Sequence, residues 1–204
     1  MTGVAIYMEG GGDSTASKAA IRQGMGEFLH EIRDRVRERR LTWKLVACGS
    51  RNWAHDAFTH AVRTQSQAFN ILLVDSEGPM NGTPREHLNA RDGWHLGGDE
   101  EAFHVMVQSM ETWIVADGNA LRQYYRQGFL ENALPAAEDL ETVAKTDVVR
   151  ALVHATRGTQ KGAYRKIDHA SEILARVDPA QVMRRCGHCR RLFDLVTGRL
   201  QGAR

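Results

Sequence analysis

Phe69-Asn-Ile-Leu-Leu-Val-Asp-Ser-Glu-Gly-Pro79 is the stretch whose reading decides the fold. Phe69 to Val74 is a nearly unbroken apolar run of strand length, and its lack of alternation marks a strand covered on both faces, as in a parallel sheet. It stops at Asp75-Ser76-Glu77-Gly78-Pro79, a turn that carries two carboxylates. Working outward, Val4-Ala-Ile-Tyr-Met-Glu9 is another short apolar run, ended by Gly10-Gly11-Gly12, and Lys44-Leu-Val-Ala-Cys48 is a third, ended by Gly49. Between Glu9 and Lys44, Asp13 or Ser14 caps a predicted helix with Ile21, Met25, Phe28, Leu29, Ile32 and Val36 on one stripe. Between Cys48 and Phe69, Asn52 caps a helix whose inner face is Ala57, Phe58, Ala61 and Val62. Strands alternating with helices require crossover connections, and these give an α/β domain with a mostly parallel sheet flanked by helices.

Residues 80–102 show no apolar periodicity and hold Pro84, Arg85, His87, Arg91, Asp92, Trp94 and His95, which predicts a long, partly ordered loop or lid. His104 to Gln108 reads as a fourth strand. A helix from Ser109 to Tyr125 follows, with Met110, Trp113, Ile114, Asp117, Leu121 and Tyr124 along one stripe; an aspartate among them is unexpected. Residues 138–197 are helical by pattern, and Asp178-Pro179 is a helix start. The expected organisation is an α/β core over 1–125 and a helical C-terminal extension over 126–204 packed on it.

A chain of 204 residues has enough surface to bury a full core. Its 42% hydrophobic and 25% charged residues exclude a disordered or fibrous class. No apolar run approaches the ~18 residues of a membrane span, and the N-terminus lacks a basic region followed by an apolar one, so the expected location is cytoplasmic. A net charge of +2 sets up no global field for nucleic acid, so any basic footprint must be local. Three cysteines are too few for a disulfide framework. Cys186-Gly-His-Cys189 has no second pair at ligand spacing, and its face is shared with Val182, Leu192, Phe193 and Val196, so it reads as two buried thiols in a helix.

Ligands of open α/β sheets bind beyond the carboxyl ends of the strands, where this reading places Glu9, Asp13, Asp75 and Glu77, with Arg51 among them to bind substrate. Ionised carboxylates gathered there repel one another, and a hard divalent cation, Mg²⁺ or Mn²⁺, is the natural way to hold them together. The competing reading is local: Asp13 caps a helix and Asp75 forms an Asx-turn ahead of Pro79. The triple glycine meets neither the phosphate-loop nor the dinucleotide pattern and serves rather to let backbone approach closely beside Glu9. One dense basic stretch, Thr156 to Lys166, offers Arg157, Lys161 and Lys166 to a phosphate backbone and Tyr164 as a stacking face; the same stretch also reads as solvated surface.

The strand ending Glu9-Gly-Gly-Gly-Asp13 and the later Asp75-Ser-Glu77 resemble the glutamate loop and acidic pair of TOPRIM domains. With Met8–Ser14, Cys48-Gly-Ser-Arg-Asn52, Leu73–Glu77, Met110-Glu-Thr-Trp113, Ala116-Asp117 and Lys161-Gly-Ala-Tyr164, nearly the whole chain resembles a bacterial family of domains of unknown function with a TOPRIM-like core, related to overcoming-lysogenization-defect nucleases. The resemblance implies Glu9 as metal ligand or general base, Asp75 and Glu77 as Mg²⁺ ligands, and Glu111 and Asp117 as contributors to a second metal. It implies phosphodiester hydrolysis, nucleic acid as substrate, and an ATPase partner in phage defence. A non-catalytic, metal-binding adaptor subunit of such an ATPase is the alternative. The acidic pair here is DxE where the TOPRIM pattern has DxD, and the longer glutamate displaces its carboxylate by a methylene.

Overall fold

The computed structural model describes residues 1–202. Its elements run β1 (Gly3–Met8), α1 (Thr15–Phe28), α2 (His30–Glu38), β2 (Thr42–Ala47), α3 (Arg51–Thr64), β3 (Phe69–Asp75), α4 (Pro84–Asp92), β4 (Phe103–Met106), α5 (Met110–Val115), α6 (Gly118–Tyr125), α7 (Lys145–Thr156), α8 (Lys166–Leu174), α9 (Pro179–Arg185) and α10 (Gly187–Gly202). The four strands form one parallel sheet in the order β2-β1-β3-β4, a Rossmann-like α/β arrangement with helices flanking the sheet. Every residue of β3 is buried, as its uninterrupted apolar run requires. The chain goes from β1 out to β2 and then returns across β1 to β3, so the direction of winding reverses between β1 and β3. In open α/β sheets, a crevice opens at the carboxyl ends of the strands at such a reversal. Glu9 follows β1 and Asp75 ends β3, so both acids lie at its rim.

Several predicted elements differ from the structure: α3 is capped by Ser50, which accepts from the Trp53 amide, not by Asn52, and Val62 is exposed and not on its inner face. The stripe from Ile21 to Val36 is buried throughout, but the helix that carries it is interrupted at Leu29, where α1 ends and α2 begins. The expected single helix over 109–125 is two helices, α5 and α6, separated at Ala116-Asp117. Residues 80–102 are not mainly loop. Thr83 and Glu86 form a reciprocal capping box around Pro84, the first residue of α4, and left-handed Gly93 ends that helix. Only Pro84 and Leu88 of α4 are buried, too few to produce a periodic signal.

The C-terminal helices pack on the α/β layers: α8 lies along α1, and α10 lies against α2 and β4. The close approach of α1 and α8 needs Gly24, since a Cβ there would stand 2.2 Å from the Ser171 carbonyl oxygen. This contact carries the start of α8, with Lys166, to the carboxyl edge of the sheet. Cys186 and Cys189 are free and buried, but they do not share a helix as expected: Cys186 ends α9 and Cys189 lies in α10.

Candidate metal centre

Adjacent parallel strands bring Glu9 and Asp75 together. Met8 pairs with Leu73, the Glu9 amide donates to the Leu73 carbonyl at 3.1 Å, and the Asp75 amide donates to Glu9 Oε2 at 3.4 Å. Glu77 reaches the same place through a left-handed backbone, φ 63°, which costs a residue with a Cβ about 1 kcal/mol. Its amide donates to the Gln108 carbonyl at 2.9 Å, which holds the turn. One carboxylate oxygen from each of Glu9, Asp75 and Glu77 lies within 4.8 Å of the other two, close enough for one oxygen-ligated divalent cation. Among the described residues, no other group of three or more metal-ligating side chains converges in this way.

Asp75 is the buried member, with its side chain 3% exposed against 22% for Glu9 and 26% for Glu77. Its Oδ1 accepts from the Met110 amide at 2.8 Å, which fixes the carboxylate and leaves Oδ2 facing the cluster. Burial pushes its carboxyl up to about 7, and Glu9 and Glu111 add to the rise against the opposing pull of Lys166 and Lys145.

Each carboxylate of the trio has a basic neighbour. Lys145, the first residue of α7, donates to both oxygens of Glu77 at 2.8 and 2.7 Å. Lys166 lies 3.5 Å from Asp75 Oδ2 and 3.4 Å from Glu111 Oε2. Burial alone would lower the Lys166 ammonium, but Asp75 and Glu111 outweigh it and hold it above its ordinary value. Arg51 lies 3.4 Å from Glu9, donates to the Asp75 carbonyl, and is gripped by Asp92 through two bonds of 2.9 and 2.6 Å. Its guanidinium also lies over the Trp94 ring, which stacks on His55 at 4.4 Å between centroids. Arg51, predicted to bind substrate, is therefore a brace whose donors are committed within the protein. The segment 80–102 supplies the other half of that brace, because α4 ends in Asp92 and leads into Trp94.

Other predicted ligands fall outside the trio. Asp13 is exposed, and Ser14, not Asp13, caps α1 by accepting from the Ser17 amide. Asp117 is the N-cap of α6: its Oδ1 accepts from the Asn119 and Ala120 amides, and its Oδ2 accepts from the Asp178 amide at 3.0 Å. Three backbone donors occupy the carboxylate, and this explains an aspartate on an apolar stripe. Glu111 does approach Asp75, but across Lys166, so an ammonium stands where a second cation shared by the two would have to sit. Burial would raise Glu111, yet Lys166 and its hydrogen bonds hold it below the usual carboxylate range.

The basic stretch divides. Tyr164 is not a stacking face: it is buried, and its hydroxyl donates to Glu111 Oε1 at 3.1 Å. Lys166 belongs to the acidic cluster. Lys161 lies elsewhere, over the Tyr124 ring at 4.3 Å, and exposed Arg157 caps α7. Lys145, Asp92 and the Trp94 stack carry no local signal for this role, since their partners lie far away in the chain.

The architecture is thus a Rossmann-like α/β domain with an acidic carboxyl edge. Residues 8–196 match the model of a family described as Domain of unknown function (DUF4276), and the chain belongs to that family. No curated protein and no solved structure matches the chain. No helix among the described residues is long and apolar enough to cross a membrane.

Proposed function

We propose that the protein is a divalent-metal-dependent phosphodiesterase, a nuclease, with Glu9, Asp75 and Glu77 as the ligands of one Mg²⁺ or Mn²⁺. The observation that carries this reading is the convergence of three carboxylates from two adjacent strand ends, ringed by Lys145 and Lys166. All three ligand atoms are hard oxygens, which fits these cations and not softer ones. The TOPRIM resemblance of the same three residues supports the reading independently of the geometry.

Bound there, the ion would supply charge to polarise a phosphoryl oxygen and acidify a water. The protein's own groups account for the rest. Asp75, fixed by the Met110 amide, is an oriented anchor that loses little freedom on ligation. Glu9 lies at the part-exposed rim, where water has access, and is suited to accept the proton of the attacking water. Lys145 and Lys166 have side chains 32% and 41% exposed on flexible stems, so once a cation takes over their carboxylates they can turn to phosphate oxygens. Hydrolysis adds the water across one P–O bond and leaves a phosphomonoester and an alcohol. Lys166 between Asp75 and Glu111 favours one metal ion over two.

The test is incubation of the purified chain with single-stranded and duplex DNA and RNA in Mg²⁺ or Mn²⁺, with and without chelator. Cleavage that requires the metal supports the reading. Metal binding without cleavage of any substrate supports the adaptor alternative, with the ATPase partner that the resemblance implies as the subunit to add.

A further inference from the structure

A cavity of about 240 Å³ adjoins the trio, between the triple-glycine loop and the start of α8. We propose that it holds a single unpaired nucleobase of the substrate, next to the phosphate to be cleaved, so that the enzyme acts on single-stranded or frayed nucleic acid; this rests on the phosphodiesterase reading. Glu9 and Lys166 line its rim on the side of the metal centre, while buried Ile21 and Met110 and 58%-exposed Ile167 give it apolar walls. Its charged groups therefore suit a phosphate and its cation, and its apolar walls a ring without charge. The volume lies below the roughly 300–1,000 Å³ of pockets for drug-sized ligands, which leaves room for one ring system and none for a stacked pair. A base inside a duplex cannot enter without unpairing.

The glycine loop is shaped to keep this cavity open. Gly10 and Gly11, at φ 127° and 91°, hold conformations that side chains rarely adopt. Gly12, at φ 57°, lies where asparagine is also tolerated, so its backbone alone does not demand glycine. A Cβ at Gly12 would stand 3.4 Å from Ile167 Cδ1, ordinary contact distance, so a longer side chain there would displace Ile167 or enter the cavity. Ile167, the solvent-exposed second residue of α8, gains a purpose as the apolar wall that meets the loop at Gly12.

The experiment titrates the intact chain with each of the four nucleoside 5′-monophosphates and, separately, with ribose 5-phosphate. At least one nucleotide should bind about tenfold more tightly than the sugar phosphate, the order of one lost base contact. The preference should vanish in Gly12→Asn and shrink in Ile167→Ala, which changes only a surface side chain and keeps the test valid if the loop variant fails to fold. Equal affinity for nucleotides and ribose phosphate in the wild type, or an unchanged preference in Ile167→Ala, would overturn the proposal. A parallel assay compares a single strand with one that carries an abasic nucleotide beside the cleaved bond. Equal rates would defeat the base cavity and leave the hydrolase reading standing, whereas nucleotide preference without cleavage of any strand would defeat the hydrolase reading and leave the cavity as a nucleotide site.

Discussion

Two buried aspartates, Asp75 at the end of β3 and Asp117 between α5 and α6, are 2% and 5% exposed, and their surroundings differ in kind. Asp117 accepts three backbone N–H bonds, so its charge is fully answered by the fold. Asp75 accepts one strong backbone bond, from Met110, and otherwise faces Glu9, Glu111 and Lys166. A carboxylate saturated by peptide donors fastens elements together. One left with like-charged neighbours is available for a cation. The contrast separates scaffold from site more sharply than burial does.

The largest expected difference is in activity. Asp75→Asn should reduce metal-dependent cleavage by at least about a hundredfold, the scale on which loss of a positioned charged group in catalysis is felt, and should leave the fold intact or slightly more stable, because an amide oxygen can still accept from Met110 while a repelling charge is removed. Retained cleavage per folded molecule with a lowered Tm would place Asp75 beside Asp117 as a cap. The converse change, Asp117→Asn, should cost about 1–3 kcal/mol, or several degrees of Tm, with cleavage per folded molecule unchanged. Denaturant unfolding and a rate normalised to folded protein read both.

His104 extends the contrast to a base. It is 1% exposed, its Nε2 lies 3.0 Å from the Glu101 carbonyl, and Arg191 donates to its Nδ1 at 3.2 Å. Burial, aided by Arg191, lowers its imidazolium to about 3, so in the folded protein it stays neutral. Between the unfolded value of about 6.5 and the folded value, only the unfolded chain binds the proton. Stability attributable to His104 is therefore intact above about pH 6.5 and is lost as pH falls toward 3, by up to about 1.4 kcal/mol per pH unit. His104→Gln should flatten that slope in urea titrations at pH 6.5, 5.5 and 4.5. An unchanged slope would mean that His104 is protonated in the fold.

The sequence discloses the candidate site's centre because the carboxyl ends of parallel strands share one edge. The runs into Glu9 and Asp75 end at the same carboxyl edge of such a sheet, and the strand order β2-β1-β3-β4 then makes them neighbours. Glu77 comes with Asp75. What surrounds the trio is not legible in this way. Lys145 is 68 residues from Glu77, and nothing in its own neighbourhood distinguishes it from a surface lysine. Asp117 resembles Asp75 in composition of context, and only the position of the Asp178 amide, 61 residues away, shows that it is spoken for. Tyr164 looks like a stacking residue until burial against Glu111 is known. By contrast α4 was announced locally, by Thr83-Pro84-Arg85-Glu86, a capping signature that periodicity misses in a helix with so small a buried face.

Calorimetric titration with Mn²⁺ at pH 8, on the wild type, Asp75→Asn and Asp117→Asn, tests the central claim most directly. One saturable site per chain in the wild type, retained in Asp117→Asn and lost in Asp75→Asn, is the predicted result. Absence of binding to the wild type, or equal binding to the wild type and Asp75→Asn, would contradict it.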